Sequence, residues 1–260
     1  MQHFSSDGVD IAYRLAGEGA PVLLIHGFAS NSAVNWGSTG WIDTLTAAGR
    51  TAIAMDVRGH GESARPRDPA AYRPEVMAAD AARLLDHVGV AAADVMGYSM
   101  GARIATFLAL GDPRRVRSLV LGGMGWALVE GPGDAEEIAA ALEADSAGAV
   151  TGETGRGYRR FAEKTGSDLR ALAACIRAQR VSVAAARLAD VAVPVMVAVG
   201  TGDRVAGSAA RLARAFPRGE ALDIPGRDHM LATGDRVFKA AVVEFLARVA
   251  AGDAGSPPPA

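Results

Sequence analysis

The strongest constraint on how this chain can fold is a series of short apolar runs set at intervals along it. They are Val22–Ile25, Thr51–Met55, Asp94–Met96, Val116–Leu121, Val195–Val199 and Ala221–Ile224. Each is too short for a core helix, and most are apolar at successive rather than alternate positions. That pattern belongs to strands buried on both faces of a parallel sheet. Between them lie stretches with helical spacing: Trp41–Ala48, Pro74–Val88, Met100–Leu110, Ser208–Phe216 and Arg236–Ala250. Pro74 suits a first helical turn, and Gly111-Asp112-Pro113 closes the third stretch. Strands alternating with helices predict an α/β domain with a doubly wound, mostly parallel sheet and right-handed crossovers. At the amino end Val9–Leu15 alternates apolar and polar residues like a half-buried strand, with Phe4 in a partner strand.

One interval breaks this rhythm. Residues 127–186 carry helical signals but no strand, and are expected to form a short helical cap insertion over the carboxyl edge of the sheet. The core is then expected over 1–126 and 187–251, with a disordered Gly-, Ser- and Pro-rich tail over 252–260. The 260 residues suit one large domain with a modest insertion, and a 50% hydrophobic content suffices for its core.

The net charge of −2 gives no electrostatic reason to expect nucleic acid or an anionic membrane as partner, so a small molecule is expected instead. The one cysteine, Cys175, forms no intramolecular disulfide and reads as a small buried hydrophobe. Met1–Asp7 lacks the basic-then-apolar pattern of a secretory signal. Apolar stretches such as Val191–Val199 fall far short of the roughly 20 residues of a membrane span. A cytoplasmic location is expected, and oligomeric state stays open.

Chemistry enters at Gly97-Tyr98-Ser99-Met100-Gly101, which matches the nucleophile elbow G-x-S-x-G. With 31 glycines, a chain of this length meets that pattern by chance roughly 0.2 times, so its placement must carry the weight. It follows a strand signal and opens a helix, which places Ser99 above the sheet at a helix N-terminus. A serine hydroxyl needs a base within hydrogen-bond reach. Of the five histidines, His229 lies just past the last strand signal, on a loop returning to the same edge. His87 falls in a helix as a solvent-facing or capping residue, and His3 near the terminus. The base needs an orienting carboxylate. Asp203 follows the Val195–Val199 strand through Gly200-Thr201-Gly202, whereas Asp223 lies within a strand and Asp228 is too close in sequence to His229 to reach its ring.

Acyl transfer also needs two N–H donors for the oxyanion. Met100, the residue after the nucleophile, supplies one, and the loop His26-Gly27-Phe28 after strand Val22–Ile25 supplies the other. Together with Asp56-Val57-Arg58-Gly59-His60-Gly61-Glu62-Ser63, these blocks resemble the α/β-hydrolase superfamily over nearly the whole chain. The order Ser99, Asp203, His229 is the one this resemblance implies. It further implies that Phe28 gives the second oxyanion N–H and that the Asp56–Ser63 loop is structural. His26 and His60 are accordingly expected to make structural hydrogen bonds. Epoxide hydrolases and haloalkane dehalogenases are similar but carry aspartate at the elbow, where this chain has Ser99.

These readings imply a serine hydrolase of small carboxylic esters that needs no cofactor or metal. The alternatives are an enol-lactonase or C–C bond hydrolase with the same triad, a cofactor-free perhydrolase, or a ligand receptor on the same scaffold. Substrate choice is expected to lie in the insertion and in the loop Ala29–Gly40. Phe28, Trp36, Trp126, Tyr158 and Phe161 are expected around the pocket. One or two of the arginines Arg156, Arg159, Arg160, Arg170, Arg177, Arg180 and Arg187 are candidates for a substrate carboxylate. Gly152-Glu153-Thr154-Gly155-Arg156-Gly157 lacks the lysine-hydroxyl ending of a phosphate loop and reads as a flexible link.

Overall fold

The computed structural model describes residues 1–131, 133–178 and 181–252; Arg180 and most of the expected 252–260 tail lie outside them. The strands are β1 (Gln2–Ser6), β2 (Val9–Ala16), β3 (Ala20–Ile25), β4 (Arg50–Met55), β5 (Ala93–Tyr98), β6 (Val116–Gly122), β7 (Val195–Gly200) and β8 (Gly219–Ile224). They form one eight-stranded sheet in the order β1-β2-β4-β3-β5-β6-β7-β8. β1 and β2 are antiparallel to their neighbours, and all pairings from β4 to β8 are parallel.

The helices are α1 (Trp41–Ala47), α2 (Pro74–His87), α3 (Met100–Gly111), α4 (Ala127–Glu130), α5 (Ala135–Glu143), α6 (Glu153–Lys164), α7 (Leu169–Ala178), α8 (Ala209–Ala213) and α9 (Arg236–Ala251). The alternation within each strand divides the core into two layers. Leu23 and Ile25 of β3 face the layer built with α2 and α3, while Val22 and Leu24 face the layer of Trp41, Phe238 and Phe245. Both faces are covered, which is why these runs are apolar at every position. β8 is the exception: an edge strand, it leaves alternate residues exposed.

Residues 127–186 hold α4–α7 and, among those described, no strand. Three local expectations need correction. The glycine-rich stretch 152–157 is not a link but the start of α6, with Gly155 packed so tightly that a Cβ would stand 2.6 Å from that of Ala141. The 208–216 helix is shorter than its pattern, five residues capped by the Ser208 hydroxyl. The loop 29–40 is not irregular throughout, since Ala33–Gly37 forms a π-helical turn.

Candidate active site

β5 runs straight into α3, and the turn between them sets the geometry of the site. Ser99 holds φ 53° and ψ −114°, a conformation that non-glycine residues rarely adopt. The crossing is close enough that a Cβ on Gly97 would stand 2.2 Å from the Gly101 carbonyl oxygen, and one on Gly101 1.9 Å from that of Ile25. Glycine is therefore required at both positions. The strained turn is held by the Ser99 N–H, which donates to Gly122 O at 2.8 Å.

Asp203 and His229 reach the same point from β7 and β8. His229 Nδ1 lies 2.7 Å from Asp203 Oδ2, and Nε2 lies 3.0 Å from Ser99 Oγ. The second Asp203 oxygen accepts from the N–H groups of Val205 at 2.8 Å and Ala206 at 3.0 Å. Burial opposes ionisation of Asp203, but the His229 ring and these two N–H groups outweigh it and hold the carboxyl below its usual value. An ionised Asp203 keeps the imidazole proton on Nδ1, which leaves Nε2 free to accept from the serine hydroxyl. Asp228 does not approach the ring; its carboxylate caps the N–H groups of Met230 and Leu231. Asp223 lies within β8.

The loop after β3 forms the opposite side. Asn35 Oδ1 accepts the Gly27 N–H at 3.0 Å, and Ala29 turns the chain at φ 57°. Among the described residues, neither the Phe28 nor the Met100 N–H donates to a protein acceptor. Met100 is the first residue of α3, whose initial N–H groups lack intrahelical acceptors. His26 is fully buried and uses both ring nitrogens: Nδ1 donates to Gly27 O at 2.8 Å, and Nε2 accepts the Val57 N–H at 2.9 Å. Burial pushes its pKa down. His60, whose Nδ1 lies 3.0 Å from Arg58 O, is pushed down to about 3, first by burial and then by His26. Asp56 binds the Ser32 and Glu62 N–H groups, so the Asp56–Ser63 block braces the β3 loop from behind.

Ser99 and His229 open onto a cavity of about 630 Å³. Of the aromatic residues expected there, Phe28, Tyr158 and Phe161 line it; Phe28 and Tyr158 touch edge to face with ring centroids 5.8 Å apart. Trp36 and Trp126 do not. Trp36 is fully buried against Trp41 in the opposite core layer, and the half-buried Trp126 stacks under Arg211 at 3.9 Å. In their place the cavity takes Val34, Asn35 and Thr39 from the π-helical turn and its exit, and Val205, Met230 and Thr233 from the loops bearing Asp203 and His229. Val34, Asn35 and Thr39 fall in the loop Ala29–Gly40, where substrate choice is expected; the π-helical turn that presents them has no sequence signal. The neighbours of Asp203 and His229 were there to be read, because residues flanking a site loop share its location. Cys175 is buried with its Sγ 3.7 Å from Met100 Sδ, and no described helix is long and apolar enough to cross a membrane.

The chain and its fold match known proteins in both sequence and shape. The family model described as the alpha/beta hydrolase fold matches residues 20–148. A hydrolase from Pseudomonas aeruginosa superposes with a TM-score of 0.77 at 25% identity, covering 94% of this chain and 97% of that one. A thermophilic esterase from Thermogutta terrifontis superposes with a TM-score of 0.73 at 25% identity, covering 96% and 99%. A 2-hydroxymuconate semialdehyde hydrolase of Pseudomonas putida is 41% identical over 107 residues, 41% of this chain and 37% of its own. The chain spans less than half the length of the curated relatives it matches. The chain belongs to the α/β-hydrolase superfamily.

Proposed function

We propose that this chain is a cofactor-free serine hydrolase of small carboxylic esters. The observation that carries the reading is the unbroken relay Asp203–His229–Ser99, with contacts of 2.7 and 3.0 Å, at the floor of a largely apolar cavity. Ser99 Oγ attacks the ester carbonyl as its proton passes to His229 Nε2. Asp203 stabilises the imidazolium that forms, and the N–H groups of Phe28 and Met100 receive the oxyanion. His229 then protonates the departing alkoxide, leaving an acyl group on Ser99. A water molecule, deprotonated by His229, cleaves that acyl bond and returns the proton to Ser99. Residues 127–186 act as a cap whose α6 supplies one wall of the pocket.

Hydrolysis of p-nitrophenyl esters of increasing acyl length, by the parent protein and by Ser99→Ala, tests the reading. Turnover that vanishes in the variant supports it, and the chain-length optimum sizes the cavity. Full turnover by Ser99→Ala would end it.

A second reading keeps the relay and changes the bond: an enol lactone, or a carbon–carbon bond next to a ketone. It is supported by the 41% identity to the semialdehyde hydrolase and by Arg160, which lines the cavity and makes no ion pair among the described residues. Faster turnover of an enol lactone or a vinylogous diketone than of simple esters would favour it.

A further inference from the structure

The elbow carries a second side chain whose contacts the relay does not explain. Tyr98 immediately precedes Ser99, and its ring occupies a slot left by Gly122 at the end of β6 and Gly123 just after it. A Cβ on Gly122 would lie 2.8 Å from the Tyr98 ring, and one on Gly123 2.7 Å from it. Through that slot the ring passes beneath His229, with centroids 5.6 Å apart and planes tilted by 53°. Its hydroxyl donates to the backbone carbonyl of His229 at 2.5 Å. Tyr98 is 3% exposed, and burial pushes its phenol pKa up, so the hydroxyl stays a donor at any working pH.

The loop that bears His229 needs such a tie. Gly226, Arg227 and Asp228 are exposed, as are Met230 at 55% and Leu231 at 60%. Apart from the ring's bonds to Asp203 and Ser99, the loop is restrained locally by Asp228, which accepts the N–H groups of Met230 and Leu231, and by contacts toward its amino end. Gly226 N–H donates to Thr201 Oγ1, Gly202 N–H donates to Arg227 O, and Arg227 pairs with Asp235. At His229 itself, the main chain is held to the elbow through Tyr98.

We infer that Tyr98 is a positioning residue for the reaction, fixing the main chain of His229 to the same elbow that presents Ser99. The nucleophile–base distance is then set within one strand-end unit: Ser99 meets the imidazole from one side, and Tyr98 holds its backbone from the other. Nothing in this role requires Tyr98 to touch substrate at its hydroxyl, since that group is already committed to the carbonyl. The inference rests on Ser99 and His229 acting as nucleophile and base.

The test is Tyr98→Phe, which keeps the ring in its glycine slot and deletes only the donor. Loss of positioning lowers kcat by about 5- to 50-fold while KM for p-nitrophenyl butyrate stays near the parent value, because misplacement of a catalytic group acts on the chemical step. Labelling of Ser99 by a fluorophosphonate, which needs the activated serine but no turnover, slows by a similar factor. Replacing Tyr98 with 4-aminophenylalanine, which restores an N–H donor at the ring's para position, recovers much of both rates. If Tyr98→Phe only lowered the melting temperature while kcat and labelling matched the parent, the tyrosine would be structural and the inference wrong. A raised KM with unchanged kcat would make it a pocket wall and would also overturn the inference. A parent protein that the fluorophosphonate does not label at Ser99 would remove the nucleophile itself, and the two proposals would fall together.

Discussion

The carboxyl edge of the sheet and the α4–α7 segment face each other across one cavity, and they are built by different means. At the sheet edge, position is fixed by main chain. Ser99 sits on a turn that only glycine neighbours allow, Asp203 is gripped by two backbone N–H groups, and His26 bridges Gly27 to Val57. In α4–α7, buried apolar residues such as Ile138, Leu142 and Leu172 make the packing, and long arginine side chains brace it. Arg159, buried, donates to the carbonyls of Ala141 and Ala144 and to Glu163. Arg177 pairs with both oxygens of Glu143 at 2.7 Å, and its hydrogen bonds draw that carboxyl below its usual value. Arg103 of α3 joins the two regions through the carbonyls of Ala127, Leu128 and Val181, and burial pushes its pKa down to about 10. The two regions should therefore tolerate change differently: main-chain placement is stiff and suits reacting atoms, whereas side-chain braces can be exchanged to reshape a pocket.

That division can be broken in several ways. The largest effect belongs to the sheet edge: Asp203→Asn should lower kcat by about 10³- to 10⁴-fold with little change in folding, since it disturbs the imidazole tautomer rather than the scaffold. Stopped-flow ester hydrolysis together with a urea melt checks both halves. Across the cavity, Arg159→Ala should cost about 3 kcal/mol of stability, because it leaves buried carbonyls of α5 without a donor. The expected result is a lower urea midpoint with kcat close to the parent; an equal loss in kcat would mean that the two regions are not separable. Phe161→Ala should raise KM for longer acyl esters by roughly tenfold, the order expected for an aromatic wall worth 1–2 kcal/mol, and leave kcat in place.

The smallest effect is a pH dependence confined to the core loops. His60 titrates at about 3 in the fold against an ordinary value of 6.5, so the unfolded chain binds more protons between those limits. Its contribution to stability is therefore full above pH 6.5 and is lost as pH falls toward 3. Between pH 7 and 5.5 the loss amounts to about 1 kcal/mol from this residue. His26 shifts in the same direction. Urea midpoints across that range should fall for the parent and fall less for His60→Asn, while a flat profile would show that neither ring changes protonation on unfolding.

The same division explains what could be read from sequence. Strands β3 to β7 were legible because burial on both faces demands apolar residues at every position. The convergence of Ser99, Asp203 and His229 is legible because each follows a strand signal at the same edge. The pocket was only half legible. Trp36 and Trp126 are large aromatics near the right loops, yet Trp36 lies on a π-helical turn and packs in the core, and Trp126 stacks against Arg211 rather than lining the cavity. Periodicity does not encode a single π-turn, nor does composition reveal which arginine an aromatic ring will meet. Similarly, the glycines at 152–157 suggested a link because helix propensity alone opposes them. The close approach of α5 to α6 at Gly155 is a tertiary demand that overrides it.

The central claim is that Ser99 carries an acyl group during turnover. It is tested most directly by mixing the parent protein with excess p-nitrophenyl acetate, quenching in acid within milliseconds, and measuring peptide masses. The expected result is a burst of p-nitrophenol that does not exceed the enzyme concentration and an acetyl group on the peptide containing Ser99. Turnover with no adduct at Ser99, or with an adduct on another residue, would contradict it.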